Sequence, residues 1–308
     1  MTKGVANSRS AKPKPVVACF GEVLWDCLPR GLFLGGAPIN AAYHLARQGL
    51  RVVPVTAVGP DFLGEEALRR VANWGVDTRF IARLQDRPTG TVRAALDDAG
   101  VARYEIARRV AWDRIPVTPR LRRLSPAPAA IVHGTLALRE PANRAALDAL
   151  FAAWPGALRV VDLNFRPPFD TPAVTNRVLR SAQLLKLNDE ELARLAQRPR
   201  LRPAELARAA REIGERYGLA RICVTAGARG AGLLWDGAWF WEKARPVEVR
   251  DTVGAGDAFL GGLLGALLAR EAAPAIALRQ ACRLGEFVAS QDGATPDYDI
   301  SKVLAGTA

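Results

Sequence analysis

Short apolar runs that stop at glycine alternate along this chain with longer segments whose apolar residues recur at helical spacing. Val16-Val17-Ala18-Cys19-Phe20 ends at Gly21 and suits a strand buried on both faces. Ala37 to Gly49 follows with helical periodicity and a glycine stop, then Arg51 to Val58 alternates like a strand toward Gly59. Leu63 to Trp74 is helical again and stops at Gly75. After the proline-rich stretch Pro116 to Pro128 the same alternation resumes. Ala129 to His133, Arg159 to Asp162, Leu184 to Leu187 and Arg221 to Thr225 read as strands, with helices at Asn143 to Trp154, Glu190 to Ala196 and Pro203 to Tyr217. Strands that alternate with helices predict an α/β fold: a doubly wound, mostly parallel sheet flanked by helices.

The alternation pauses once. Thr91 to Leu96 and Val101 to Ile106 are extended runs around Asp97-Asp98-Ala99-Gly100, which predicts a β-hairpin inserted into the α/β chain as a small lid. In open α/β sheets ligands bind beyond the carboxyl ends of the strands. The residues just past those ends are Gly21-Glu22, Gly59, His133-Gly134, Asp162 to Arg166, Asn188 and Thr225 to Gly230.

Composition narrows the function classes. A hydrophobic fraction of 49% and a charged fraction of 24% over 308 residues are those of a soluble globular protein. The most apolar stretch, Ala258 to Ala269, is shorter than the roughly 20 residues a membrane span needs, so no membrane contact is expected. Residues 1–14 carry Lys3, Arg9, Lys12 and Lys14 with no apolar segment behind them, which predicts a disordered basic tail, not a signal peptide. Cys19, Cys27, Cys223 and Cys282 are scattered, as expected of reduced thiols in a cytoplasmic protein. With only His44 and His133, zinc chemistry and a Ser-His-Asp hydrolase are poorly supplied. The net charge of +12 is spread along the chain without clustered aromatics, so it reads as solvated helix faces and not as a nucleic-acid surface; its field still attracts an anionic nucleotide.

The chemistry is concentrated in Asp251-Thr252-Val253-Gly254-Ala255-Gly256-Asp257, which opens the apolar helix beginning Ala258-Phe259-Leu260. A Gly-Ala-Gly turn at a helix start offers free N–H groups at the positive end of the dipole, a place for an anion or a phosphoryl group in flight. Asp257 beside it can take a proton from an attacking alcohol. Alone, Asp257 reads as a helix cap; within the whole string it reads as a base.

That string resembles the C-terminal signature of the PfkB, or ribokinase-like, carbohydrate kinases. Gly35-Gly36-Ala37-Pro38-Ile39-Asn40-Ala41-Ala42 resembles the family's other signature, and the two occur in the required order. The similarity runs from about Val16 to Pro296. It implies a kinase domain over residues 15–308, with lid segments at about 25–34 and 88–109.

The resemblance also implies roles. Gly254, Ala255 and Gly256 hold the anion and Asp257 is the base. Gly35 and Gly36 let a sugar approach the backbone, Asn40 bonds a hydroxyl, and Asp26 grips sugar hydroxyls where the chain enters the lid. Asp162-Leu163-Asn164-Phe165-Arg166-Pro167 is similar to a string of the fructokinase and ketodeoxygluconate kinase branches, in which Arg166 can clamp phosphate oxygens or a sugar carboxylate. Asn188 and Glu191 match the family's N-x-x-E element, which helps hold Mg²⁺ and phosphate, often through water; a capping box is an equally good account of the pair. Thr225, Gly227 and Gly230 match its nucleotide loop. The G-x-x-G-x-G spacing from Gly227 to Gly232 is not the dinucleotide fingerprint, and Leu233-Leu234-Trp235 before Asp236-Gly237 predicts a strand and hairpin there. Asp251, Val253 and Gly293 fall near the family's monovalent-cation site, which takes K⁺.

The reading is therefore an ATP- and Mg²⁺-dependent sugar kinase. Fructose is the expected substrate from the strings around Trp25-Asp26, Ala111-Trp112-Asp113 and Lys186 to Glu191. The alternatives are 2-keto-3-deoxygluconate, then ribose or a nucleoside; Arg93 and Tyr104 on the lid bear on an acidic sugar. An alternative of another class is a non-catalytic sugar- or nucleotide-binding regulatory module, although every chemical position of both signatures is filled. The resemblance alone suggests a lid-mediated homodimer.

Overall fold

The computed structural model describes residues 13–28, 31–96 and 102–307. Most of the basic tail (1–12) and the hairpin turn at 97–101 lie outside them, as does the side chain of Tyr104.

Nine strands form the main sheet. In chain order they are β1 (Val16–Phe20), β4 (Arg51–Val58), β5 (Ile81–Arg83), β8 (Ala130–His133), β9 (Leu158–Asp162), β10 (Leu184–Asn188), β11 (Arg221–Thr225), β12 (Ala231–Trp235) and β13 (Ala238–Glu242). Four more, β2 (Leu24–Leu28), β3 (Gly31–Gly35), β6 (Gly90–Leu96) and β7 (Ala102–Ile106), form a second small sheet in the order β3-β2-β6-β7. The main sheet runs β13-β12-β11-β10-β9-β8-β1-β4-β5. All neighbours from β11 to β5 are parallel, and at the other edge β12 pairs antiparallel with both β11 and β13. This is the doubly wound, mostly parallel sheet expected. The chain departs from β1 in both directions, so the order reverses between β1 and β8, where such sheets open a crevice at their carboxyl ends.

Helices cover both faces: α1 (Ala37–Arg47), α2 (Phe62–Asn73), α3 (Pro119–Arg122), α4 (Pro141–Ala153), α5 (Pro172–Ser181), α6 (Asp189–Leu195), α7 (Pro203–Tyr217), α8 (Ala255–Leu264), α9 (Pro274–Ala289) and α10 (Ile300–Ala305). Strand β1 shows why the sheet is sandwiched. Val16, Ala18 and Phe20 join the core shared with α4 to α7, while Val17 and Cys19 join the core shared with α1, α2, α8 and α9. Alternate residues thus serve opposite layers, and each fully buried Val, Leu or Phe is worth about 1.5–3 kcal/mol. All four cysteines are free thiols.

The small sheet grows out of β1. Strand β2 pairs parallel with β6, Leu24 opposite Gly90 and Asp26 opposite Val92, and antiparallel with β3. Trp25 points back into the main core and donates its Nε1–H to the Leu63 carbonyl at 3.0 Å. Asp26, one residue on, must face the other way. Among the described residues no helix is long and apolar enough to cross a membrane.

Candidate active site

Helix α8 begins with a left-handed residue, Gly254 (φ 77°), as its N-cap. A Cβ there would lie 2.6 Å from Cα of Ala294, so both conformation and packing require glycine. Ala255 and Gly256 open the helix and Asp257 is its third residue. The Ala255 N–H bends back to the Thr252 carbonyl at 3.3 Å. The next two amides, of Gly256 and Asp257, belong to the first turn, which has no intrahelical acceptors, and they present the positive end of the dipole.

Asp257 is buried, and its Oδ2 accepts a hydrogen bond from Asn40 Nδ2 of α1 at 2.8 Å. Burial and the nearby Asp162 carboxylate push its pKa up to about 7, against the opposing pull of Lys186, Asn40 and Arg166. A carboxylate poised there has the basicity that proton abstraction near neutrality needs.

Beneath the turn lies an ion pair to which the sequence reading gave no role. Lys186 of β10 donates from Nζ to both carboxylate oxygens of Asp162 at the end of β9, each at 2.9 Å, and both side chains are buried. A Cβ on Gly256 would come within 2.9 Å of Nζ, so the ammonium sits against the anion turn. Burial disfavours the charge on Lys186, but Asp162, Asp257 and Glu191 outweigh it and raise its pKa. A signal was available: Lys186 interrupts the apolar run Leu184-Leu185-Lys186-Leu187 of a doubly covered strand, and a lysine there needs a counter-charge.

The candidate sugar residues converge from the β1 side. Gly36 (φ 107°) is the N-cap of α1 and passes so close to the Glu22 carbonyl that a side chain would collide with it. Gly35 has no room for a Cβ beside Asp26 Oδ2, 2.6 Å away. Burial raises the pKa of Asp26, and Arg166 opposes the shift. Arg166 is exposed, and its charge is also felt at Glu22 and Asp257. Glu22, a second residue given no role by the sequence reading, is buried with Oε2 unpartnered. Asn40 likewise keeps a buried, unpartnered Oδ1. Arg93 on β6 is exposed.

On the other side, Asn188 and Glu191 form a capping box at the start of α6: Asn188 Oδ1 accepts from Glu191 N at 2.7 Å and Glu191 Oε2 from Asn188 N at 2.8 Å. The second Glu191 oxygen accepts from Phe165 N at 2.8 Å, so this buried carboxylate ties the 164–166 loop to α6. Thr225 ends β11. Gly227 (φ 55°) opens a short 3₁₀ turn, and Gly230 (φ 121°) abuts the backbone of Lys243 and Ala244, which has no room for a side chain. Leu233 to Trp235 falls in β12, with Asp236-Gly237 turning into β13 as expected. Near the third group, Asp251 Oδ1 accepts from Val253 N at 3.0 Å, and Ala294, next to Gly293, packs on Gly254. Among the described residues no three His, Cys, Asp or Glu side chains cluster as a metal cage.

The arrangement can stabilise a transferring anion at the α8 amides and Lys186 while one carboxylate receives a proton. Comparison with known proteins agrees. The family model described as "pfkB family carbohydrate kinase" matches residues 18–300. A fructokinase of Salmonella typhimurium is 30% identical over 260 residues, covering 81% of this chain and 83% of that one. A double-mutant fructokinase from Vibrio cholerae O395, solved in fructose-, ADP- and potassium-bound form, superposes with a TM-score of 0.79 at 22% identity over 94% of this chain and 97% of that one. The aminoimidazole riboside kinase of Salmonella enterica, solved with aminoimidazole riboside and an ATP analogue, gives a TM-score of 0.78 at 22% identity, covering 94% and 99%. With its two signatures seated on one cleft and the family model spanning nearly the whole length, the chain belongs to the pfkB family of carbohydrate kinases and is a sugar phosphotransferase.

Proposed function

We propose that the protein transfers the γ-phosphate of ATP to a hydroxyl of fructose, with Asp257 as the base. The observation that carries the phosphoryl-transfer roles is the placement of a buried carboxylate of raised pKa one residue beyond a glycine turn whose free amides and neighbouring ammonium are arranged for an anion. In the proposed reaction the sugar hydroxyl lies against Asp257 and gives up its proton as the oxygen attacks phosphorus. The amides of Gly256 and Asp257, with Lys186 behind them, take up negative charge on the phosphoryl group. Gly254 and Ala255 shape the turn.

Asp26, Gly35, Gly36 and Asn40 orient the sugar. The orphaned Asn40 Oδ1 is supplied with a donor by a sugar hydroxyl, which removes the cost of burying it unpaired. Asn188, Thr225, Gly227 and Gly230 border the nucleotide. The donor set fits Mg²⁺ held by phosphate oxygens and water, since Glu191 already spends one oxygen on each of two backbone amides and no protein cage exists among the described residues. Bound there, the ion neutralises phosphate charge. Asp251, Val253 and Gly293 are the proposed surroundings of a monovalent cation. The sheet β3-β2-β6-β7 acts as the lid that excludes water.

Fructose is supported by the 30% identical fructokinase. A second reading, an acidic sugar such as 2-keto-3-deoxygluconate, is favoured by the exposed Arg166, whose charge is felt at Asp26. The test is ATP turnover with fructose, 2-keto-3-deoxygluconate, ribose and adenosine. Fructose should give the highest kcat/KM, and Asp257→Asn should lower kcat by between about 100- and 10,000-fold. A clear preference for another acceptor replaces fructose, and an Asp257→Asn enzyme at full speed removes the base.

A further inference from the structure

Helix α1 touches the α8 turn twice. Asn40 reaches Asp257 directly. One turn later on the same face, His44 reaches the other flank through the segment after α9. Its ring is completely buried, with Nε2 2.9 Å from the Ala294 carbonyl and Nδ1 3.0 Å from the Tyr298 hydroxyl. The imidazole stacks on the Tyr298 ring (centroids 5.8 Å, planes 22° apart) and meets α8 at Gly261, where a Cβ would lie 2.5 Å from Cβ of His44. Tyr43 fixes the same segment by donating to the Pro296 carbonyl at 2.6 Å, and Arg47 pairs with Asp297 at the rim. Ala294 is the residue that lies against Gly254, the left-handed N-cap of α8.

A carbonyl can only accept, so the bond to Ala294 requires the proton on Nε2, which leaves Nδ1 as acceptor for the tyrosine hydroxyl. Both ring nitrogens are thus spent on one segment, and that segment is the wall of the anion turn.

We propose that His44 is a positioning residue for phosphoryl transfer: by holding Ala294 against Gly254 it fixes the direction in which the Gly256 and Asp257 amides point. The inference rests on the sugar-kinase activity of the family and not on which sugar is used.

Three observations on the full chain test it, with saturating ATP and whichever sugar the wild type phosphorylates fastest. His44→Met keeps the bulk and removes both bonds; kcat should fall roughly 10- to 100-fold, the scale of a small misplacement of catalytic groups, with the sugar KM within about twofold. His44→Gln retains an N–H able to reach Ala294 and should recover most of that loss. Tyr298→Phe keeps the ring and removes only the hydroxyl; it guards against a His44→Met chain that does not fold, and should lower kcat with the thermal midpoint nearly unchanged. Independently of activity, ¹⁵N-histidine spectra should show His44 protonated on Nε2 and bare on Nδ1 at neutral pH. The proposal is overturned by a His44→Met or Tyr298→Phe enzyme with wild-type kcat, by Gln failing where it keeps the fold, or by the opposite His44 tautomer.

Discussion

Asn40 donates its side-chain amide to Oδ2 of Asp257 at 2.8 Å, joining residues 217 positions apart. The two conserve one geometry between them: α1 carries the residue that meets the sugar in the proposed complex, and α8 carries the base. The bond also stabilises the charged form of Asp257, and so opposes the burial and the Asp162 charge that raise its pKa to about 7.

The first prediction follows from that sign. A general base works deprotonated, so kcat/KM should fall as pH drops through about 7. Replacing Asn40 with Leu removes a hydrogen bond that favours the carboxylate. A bond to a charged group is worth about 1.5–3 kcal/mol, or roughly one to two pH units. The acid limb of the pH–rate profile should therefore move to higher pH by about that amount, along with a higher sugar KM. A profile with its limb unmoved would show that Asn40 does not tune the base.

The buried Asp162–Lys186 pair yields a second. Removing one member of such a pair strands the other charge and typically costs about 3–5 kcal/mol. Lys186→Met should destabilise the fold by that order, measured by denaturant unfolding. Adding Asp162→Asn should restore most of the stability, since it neutralises the carboxylate that Lys186→Met strands. It should not restore kcat, because the ammonium beside Gly256 is still missing. Recovery of both together would make the pair purely structural.

Much of this architecture is legible in the residues because a parallel strand covered on both faces is written as an unbroken apolar run. Val16 to Phe20 is such a run and Leu184 to Leu187 is one broken only at Lys186, and their strands lie within one residue of the expected limits. Helix starts shift by one or two residues where the cap decides them, as with Asp61, whose carboxylate accepts from Gly64 N and starts α2 at Phe62. Less legible is the small sheet. Its β2–β6 ladder joins Leu24 to Gly90, and no local pattern specifies a partner that distant. Helix α9 starts without a polar cap, at Ala273 and Pro274. The two family signatures can be read because each string is compact. Glu22 and His44 cannot, since their importance lies in what the fold brings next to them.

Gly254 supports a third prediction. At φ 77° an alanine pays about 1–2 kcal/mol for the left-handed conformation, and its Cβ would also press on Ala294. Gly254→Ala should lower kcat far more than it lowers the thermal midpoint, because the displaced amides are those proposed to face the phosphoryl group. Adding Ala294→Gly removes only the contact with the Ala294 Cβ; the backbone Cα, 2.6 Å from the new Cβ, and the left-handed strain both remain, so activity should recover little. A single variant with unchanged kcat would mean that the turn does not set the catalytic geometry.

The last prediction concerns the energetic cost of the base itself. An aspartate has an ordinary pKa of 3.8, and burial carries that of Asp257 to about 7 in the folded chain. Between those values the folded state holds a proton that the unfolded state has lost. Stability attributable to this group is therefore fully present below about pH 4 and declines as pH rises to about 7, beyond which it stays constant. The accumulated penalty is at most roughly 4 kcal/mol. Asn in place of Asp257 cannot ionise, keeps an oxygen for the Asn40 amide, and escapes the penalty. Asp257→Asn should then be catalytically poor yet more stable than the wild type, with an advantage in denaturant midpoint that is larger at pH 8 than at pH 5. An equal advantage at both, or a loss at pH 8, would mean that the carboxylate is not held against its own charge and that burial is not what makes it a base.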